Sequence, residues 1–422
     1  MTEKEIEKIS DDTIQKYRNY VNPAYANILQ FSGFSVPEDR AEGCYIYDMS
    51  GRKFLDCVGG YGAFSLGHLN PHVVKAIKSQ LEKEALKSHF FMSVELAEAC
   101  ELLAGILPEN INYSFLCNSG TEAVEGALKA ARIHTGRSQF ISTVNGFHGK
   151  TFGGLSVSGR EIYKANFHPL LEETLVVPYN DIVAMKKAIN NNTAAVIIEA
   201  VQGEGGVNIG NKEYMQALRK ICTERGALLI MDEVRTGLGR TGKWFACEHF
   251  DIVPDIITMA KALGGGVMPV GAFSSTAEIW ESLFGKNPFM HSSTFGGNPL
   301  ACTAVISAIK TTKELNAVEK AAKSGEILIN GLKTLQKKYP EWVKDVRSMG
   351  MVAGIEFADE DIGSLLIASC GKRNLLVAYS LNNPQVVRIE PPLIIEEAEL
   401  LKAINIIDKS LAETIELIKE FV

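Results

Sequence analysis

Apolar and polar positions along this chain change period several times, and the changes mark out its elements. Residues 1–25 carry Ile6, Ile9, Tyr17 and Tyr20 at spacings that suit the packing face of one amphipathic helix. Residues 44–58 alternate in the manner of a short hairpin turning at Ser50-Gly51. Between about 60 and 305, helical and strand-like blocks take turns. Helices are predicted over 72–84, over 94–106 and from Thr121 onward; strands are predicted over 114–117, 140–143, 194–199, 227–231 and 255–259. Runs within them, such as 194–198 and 227–231, are apolar on both faces, which requires cover on both sides. The pattern therefore predicts an α/β fold with a mostly parallel, covered sheet. After Ala301 a long helical stretch runs to Lys338, followed by strands over 351–357, 375–378 and 386–389 and a last helix from about Glu396. This predicts a smaller α+β domain at 306–422, a large domain at 60–305, and an N-terminal segment, 1–59, that joins the smaller one. There is no internal repeat and no low-complexity linker.

Composition narrows the class. A chain of 422 residues exceeds what one core usually spans, in keeping with two domains. A net charge of −7 argues against nucleic acid or an anionic membrane as partner. The eight cysteines are scattered without a CxxC pair or a His cluster, so neither a disulfide frame nor a metal site is expected. The opening residues are charged on both sides with no apolar stretch after them, and no apolar run reaches the roughly 20 residues of a membrane helix. A soluble cytoplasmic protein is expected.

Three segments carry chemistry. In Asn118-Ser119-Gly120-Thr121-Glu122 an apolar strand gives way to a helix through a Ser-Gly-Thr turn, where backbone N–H groups and hydroxyls form a phosphate seat. Taken alone, the same residues read more readily as an ordinary helix cap. In Ala227 to Val234 a buried strand ends in Asp232-Glu233; carboxylates at that edge of a parallel sheet lie where α/β ligands bind, and an Asp there holds a protonated heterocycle nitrogen. In isolation it reads more readily as a helix-cap or turn carboxylate. Lys261 follows an apolar strand directly and precedes Gly264-Gly265-Gly266, a poor setting for a solvated surface lysine. Apolar crowding disfavours its ammonium and makes the amine a nucleophile towards carbonyls. A fourth segment, Gly237-Leu238-Gly239-Arg240-Thr241-Gly242, spells GxGxxG, but neither a strand directly before it nor a helix after it supplies the dinucleotide-binding context.

Together and in this order, the three segments resemble the class III aminotransferases of the pyridoxal 5'-phosphate (PLP) fold type I, from about Lys16 to the last helix. The stretches FLCNSGTEAVEGALK, FACEH, LGGGVMPVGA, HSSTFGGNPLAC and LNNPQVVRIEPPL resemble the putrescine (diamine) branch of that family most closely. The resemblance implies PLP as cofactor, Lys261 as the Schiff-base lysine and Asp232 as partner of the pyridine nitrogen. It implies a phosphate held by Ser119, Gly120 and Thr121, a ring stacked by Phe147 with His148 beside it, and Thr294 reaching the phosphate of a neighbouring subunit in a homodimer with interfacial active sites. Arg388 then grips the keto acid's carboxylate, and Glu204 pairs with Arg388 when no carboxylate is bound. Tyr61 and Phe90 are expected as further substrate contacts.

Two departures stand out. The family's Gln that donates to the cofactor's phenolic oxygen is Arg235 here; a guanidinium there either takes over that contact as a cofactor ligand or swings away from it. The run His89-Phe90-Phe91-Met92 is unusually apolar; as a pocket wall it would favour a longer or more apolar amine, and as core or interface it would not bear on substrate. The implied reaction is ping-pong transfer of a terminal amino group from a diamine such as putrescine or cadaverine to 2-oxoglutarate. Other ω-amine donors (ornithine, acetylornithine, lysine), a racemase or aminomutase on the same fold, and a PLP-binding protein without turnover are the alternatives.

Overall fold

The computed structural model describes residues 1–88 and 90–421, so His89 lies outside the described residues. The N-terminal 25 residues are two helices rather than one. Thr2 and Glu5 form a capping box for Glu3–Lys16, and after one wider turn at Tyr17–Val21 the chain is extended at Asn22, whose side chain caps Pro23–Phe31. Proline has no N–H to give and crowds the residue before it out of the helical region, which places the break. Ile6, Ile9 and Tyr17 are half-buried, whereas Tyr20 is exposed.

The hairpin at 44–58 forms as Tyr45–Asp48 against Lys53–Asp56. Gly51 turns it at φ 85°, and Asp48 accepts from the N–H groups of Ser50 and Arg52. Lys53–Asp56 also pairs in parallel with Leu375–Leu376, which ties the beginning of the chain to its last quarter.

The central sheet has seven strands, in the spatial order Tyr113–Cys117, Gly271–Ser275, Ile256–Met259, Leu228–Asp232, Thr193–Ile198, Gln139–Thr143 and Thr174–Val177. Six run in one direction, and Gly271–Ser275 alone runs against both of its neighbours. Side chains alternate between faces. Val196, Ile198, Leu229 and Met231 pack under the helices Val94–Ala104, Lys212–Arg225 and Pro299–Glu314, while Ala195, Ile197 and Ile230 pack under Gly120–Thr135 and Ala277–Phe284. Gly271–Ser275 and Thr174–Val177 escape the hydrophobic pattern. The first has one large apolar residue, Phe273, among Gly, Ala and Ser although it is wholly buried; the second is only four residues long.

The helical stretch after Ala301 is divided into Pro299–Glu314 and Ala317–Lys338 by Asn316, which adopts a left-handed conformation (φ 48°) that asparagine tolerates better than most residues. Beyond it, Val343–Met349, Val352–Phe357, Asn383–Ile389 and Ala378–Ser380 form an antiparallel sheet under the helices Ala317–Lys338 and Glu360–Lys372, on which the last helix, Glu397–Phe421, packs. The single strand expected over 375–378 is really two. The chain leaves one sheet after Leu376 and joins another at Ala378. A second core gathers Leu328, Leu332, Ile355, Phe357, Leu400 and Ile407 with Leu55 and Cys57 from the N-terminal hairpin region.

The glycine run 237–242 is a tight wrap rather than the opening of a helix. Leu238, Gly239 and Gly242 all have positive φ, and they enclose Arg240, whose side chain is fully buried. Its guanidinium donates to the carbonyls of Met351 (3.0 Å) and Pro391 (2.6 Å) and to Ser65 Oγ (3.0 Å), three points far apart in sequence. No helix among the described residues is long and apolar enough to cross a membrane.

Candidate active site

The carboxyl ends of the parallel strands open into a cavity of about 610 Å³. Leu228–Asp232 delivers Asp232 to its floor, 5% exposed. One oxygen of Asp232 lies 2.7 Å from His148 Nδ1; the other accepts from Thr258 Oγ1 and Val234 N–H at 3.1 Å each. Burial pushes the His148 imidazole down, but the Asp232 carboxylate outweighs it, leaving His148 above its ordinary pKa. The next strand, Thr193–Ile198, is followed at once by Glu199, whose carboxylate accepts the Phe147 N–H at 2.9 Å. Burial raises the Glu199 carboxyl to about 7, His148 opposes the rise and the Asp232 charge adds to it.

Lys261 follows Ile256–Met259 and faces the same cavity. Its backbone has φ 51°, a conformation that L-residues with a side chain adopt at a cost of roughly 1–3 kcal/mol. Burial lowers its amine to about 7; the Arg235 charge adds to this, while Glu204 and Glu390 oppose it. A lysine held in a strained backbone, with an amine that gains and loses its proton near neutral pH, is arranged for chemistry rather than packing.

The opposite wall is the first turn of Gly120–Thr135. Ser119 caps this helix by accepting from Glu122 N–H, so the cap reading holds; the same turn also lines the cavity, where helix N–H groups favour an anion. A Cβ on Gly120 would sit 2.8 Å from Val234 Cγ1, and one on Gly149 (φ 112°) would sit 2.1 Å from Thr121 Oγ1. Both glycines keep open a cradle that a side chain would close. Asp232, Lys261, Phe147 and this helix start thus present a carboxylate, an amine of lowered basicity, an aromatic face and an anion seat to one cavity. That donor set fits a phosphorylated heteroaromatic aldehyde.

Ser119, Gly120, Thr121, Phe147, His148, Glu204, Asp232, Arg235 and Lys261, all singled out from sequence, line this one cavity. Arg388 stands behind Glu204, donating to it at 2.9 Å, with its guanidinium 5.4 Å from the ring of the half-exposed Tyr61; neither Arg388 nor Tyr61 is among the residues lining the cavity. Arg235 lines the cavity with both terminal nitrogens on the carboxylates of Glu204 and Glu390. Phe90, 91% exposed, and Thr294, also exposed, are not among the residues lining it. Glu199 and Glu390 were missed by sequence reasoning. Glu199 ends an apolar strand just as Asp232 does, a signal that was there to use; Glu390 shows only as one acid two residues past an arginine.

The model of the family Aminotransferase class-III matches residues 31–411. The chain is a class-III aminotransferase. Among solved structures it is similar to an ornithine aminotransferase of Toxoplasma gondii with PLP at partial occupancy in its active site (30% identity, 91% of this chain and 92% of that one, TM-score 0.86). It is also similar to an aminotransferase of Bacillus anthracis (26%, 98% and 100%, 0.90) and to the acetylornithine aminotransferase of Elizabethkingia anophelis (30%, 92% and 98%, 0.78). Class-III aminotransferases use PLP, and the cavity of this aminotransferase offers the groups that cofactor needs. The class and the cofactor expected from sequence both hold; the special closeness to the putrescine branch does not follow from these relatives.

Proposed function

We propose that this aminotransferase moves a terminal amino group from an amine without a carboxylate next to its reacting nitrogen, such as putrescine or cadaverine, to 2-oxoglutarate, giving an aminoaldehyde and glutamate. The supporting observation is the Glu204–Arg388 ion pair at 2.9 Å. With Glu204 on Arg388, the guanidinium that would demand a substrate carboxylate is already neutralised, so a carboxylate-free donor end is accepted. When Arg388 parts from Glu204, the planar fork is offered to the keto acid.

PLP, when bound, supplies an electron sink for the carbon attached to the transferred nitrogen. Ser119, Gly120 and Thr121 would hold its phosphate, Phe147 would cover its ring, and Asp232 with His148 would keep a proton on its nitrogen. The Lys261 amine, depressed to about 7, both takes up and returns a proton near neutral pH, which suits it to move the substrate's carbon proton. The large exposed apolar side chains Phe90, Phe91, Met92 and Phe289 support a homodimer, with Thr294 as the residue offered to the neighbouring cofactor.

The ornithine and acetylornithine enzymes among the similar structures favour a second reading, in which the donor is an ω-amino acid. A half-reaction screen separates the two: yellow holoenzyme is mixed with single amines and its visible band followed. Bleaching by putrescine or cadaverine ahead of ornithine is expected. Bleaching by ornithine or acetylornithine but by no diamine overturns the donor assignment, and turnover without any keto acid would point to a racemase or aminomutase.

A further inference from the structure

Four buried charges meet at the inner end of the cavity: Arg235, Arg388, Glu204 and Glu390, none more than 8% exposed. Arg235 bridges the two acids, with Nη1 on Glu390 Oε2 at 2.6 Å and Nη2 on Glu204 Oε1. Arg388 Nη1 shares that same Glu204 oxygen and approaches Glu390 Oε2 to 3.7 Å. The formal charges cancel. Arg388 Nε, however, is buried without a hydrogen-bond partner, an unused donor on the guanidinium.

For Arg388 to take up a carboxylate, Glu204 must release it. A buried glutamate stripped of its only counter-ion would resist that strongly. Here it is not stripped. Oε1 still holds Arg235, Oε2 accepts from Leu381 N–H at 3.1 Å, and the Glu204 carbonyl is pinned by Asn382 N–H at 2.8 Å. Gly203 makes the arrangement possible, since a Cβ there would lie 2.2 Å from Arg235 Cδ. With an incoming carboxylate the group carries three negative charges against two positive ones; with a neutral residue at 235 it would be three against one.

We propose that Arg235 is the positioning residue that sets selectivity for a carboxylate-bearing amino acceptor, keeping Glu204 ion-paired while Arg388 passes to the acceptor. This rests on the aminotransferase reading above for its biological meaning but not for its test. Glutarate, a dicarboxylate that cannot accept an amino group, is titrated calorimetrically into the holoenzyme and into Arg235→Gln, Arg235→Lys, Glu204→Gln and the Arg235→Gln/Glu204→Gln double variant. KM and kcat are measured alongside for 2-oxoglutarate and for butanal.

Arg235→Gln is expected to weaken glutarate by about 10- to 100-fold, the scale of one lost charge-assisted contact. The ratio of kcat/KM for 2-oxoglutarate over butanal should fall by a similar factor, mainly through KM. Arg235→Lys should recover most of it. With Glu204 neutralised, the effect of removing Arg235 should shrink to a few-fold. Wild-type affinity in Arg235→Gln overturns the proposal. So does an equal loss in the Glu204→Gln background, which would make Arg235 a direct carboxylate ligand. If Arg235→Gln does not fold, Glu204→Gln alone decides: tighter glutarate binding supports the proposal and weaker binding overturns it. Failure to turn over any amine with any keto acid would sink the functional reading and leave the glutarate result standing.

Discussion

Replacing Lys261 by methionine should stabilise the cofactor-free enzyme, and by an amount that depends on pH in a defined direction. The lysine amine falls from its ordinary 10.5 to about 7 in the folded chain, first through burial and then through the Arg235 charge. Below pH 7 the amine is protonated in both the folded and unfolded chains, and the folded state bears the whole penalty of the buried ammonium. Between 7 and 10.5 the unfolded chain keeps its proton while the folded chain has lost it, so the penalty is relieved as pH rises. A difference of 3.5 in pKa corresponds to a ceiling of about 5 kcal/mol. Lys261 is partly exposed to the cavity, and water there screens the charge, so a gain of roughly 2–3 kcal/mol is expected for Lys261→Met at pH 6.5. Methionine matches the length of the stem without its charge, which limits repacking. The assay is urea denaturation of the cofactor-stripped wild type and variant at pH 6.5, 8 and 9.5, read as midpoint differences at constant m-value. The advantage of the variant should be largest at pH 6.5 and should dwindle by 9.5. An advantage independent of pH, or a variant less stable than wild type at pH 6.5, would refute the reasoning.

Two further outcomes follow from the same geometry. Asp232→Asn removes the charge that faces His148 and the ring-nitrogen position, and kcat should fall by about 100-fold or more while the protein still folds; a loss under threefold in steady-state assays would contradict the assignment. Arg240→Met strands the carbonyls of Met351 and Pro391 and the hydroxyl of Ser65, partly offset by removal of a buried charge whose pKa burial has already lowered to about 10. A loss of about 2–4 kcal/mol is expected in chemical denaturation, and a change within 0.5 kcal/mol would show that the clamp does not bear on stability.

Much of the sheet and three of the site's anchors were legible along the chain because they obey local rules. Strands buried on both faces must be apolar throughout, so 194–198 and 228–231 announce themselves, and Asp232 and Lys261 stand out as the polar residues that end such runs. Gly271–Ser275 did not stand out, because Phe273 is its one large apolar residue and the Gly, Ala and Ser around it are buried by the strands on either side. The break at Asn22-Pro23 was missed because helical periodicity on either side hid it.

What the sequence determined by itself was the class of chemistry: a lysine among apolar residues and glycines, an acid at a strand end and a helix start built from Ser, Gly and Thr. Each is set by covalent neighbours and by the period of one element. What only the tertiary structure decided was which charges face one another. Arg235 and Glu390 are 155 positions apart, and Glu204 and Arg388 are 184 apart. Whether a guanidinium turns to a cofactor or to two glutamates depends on desolvation and on distances of a few ångströms across folded segments, and neither quantity is written in local order along the chain.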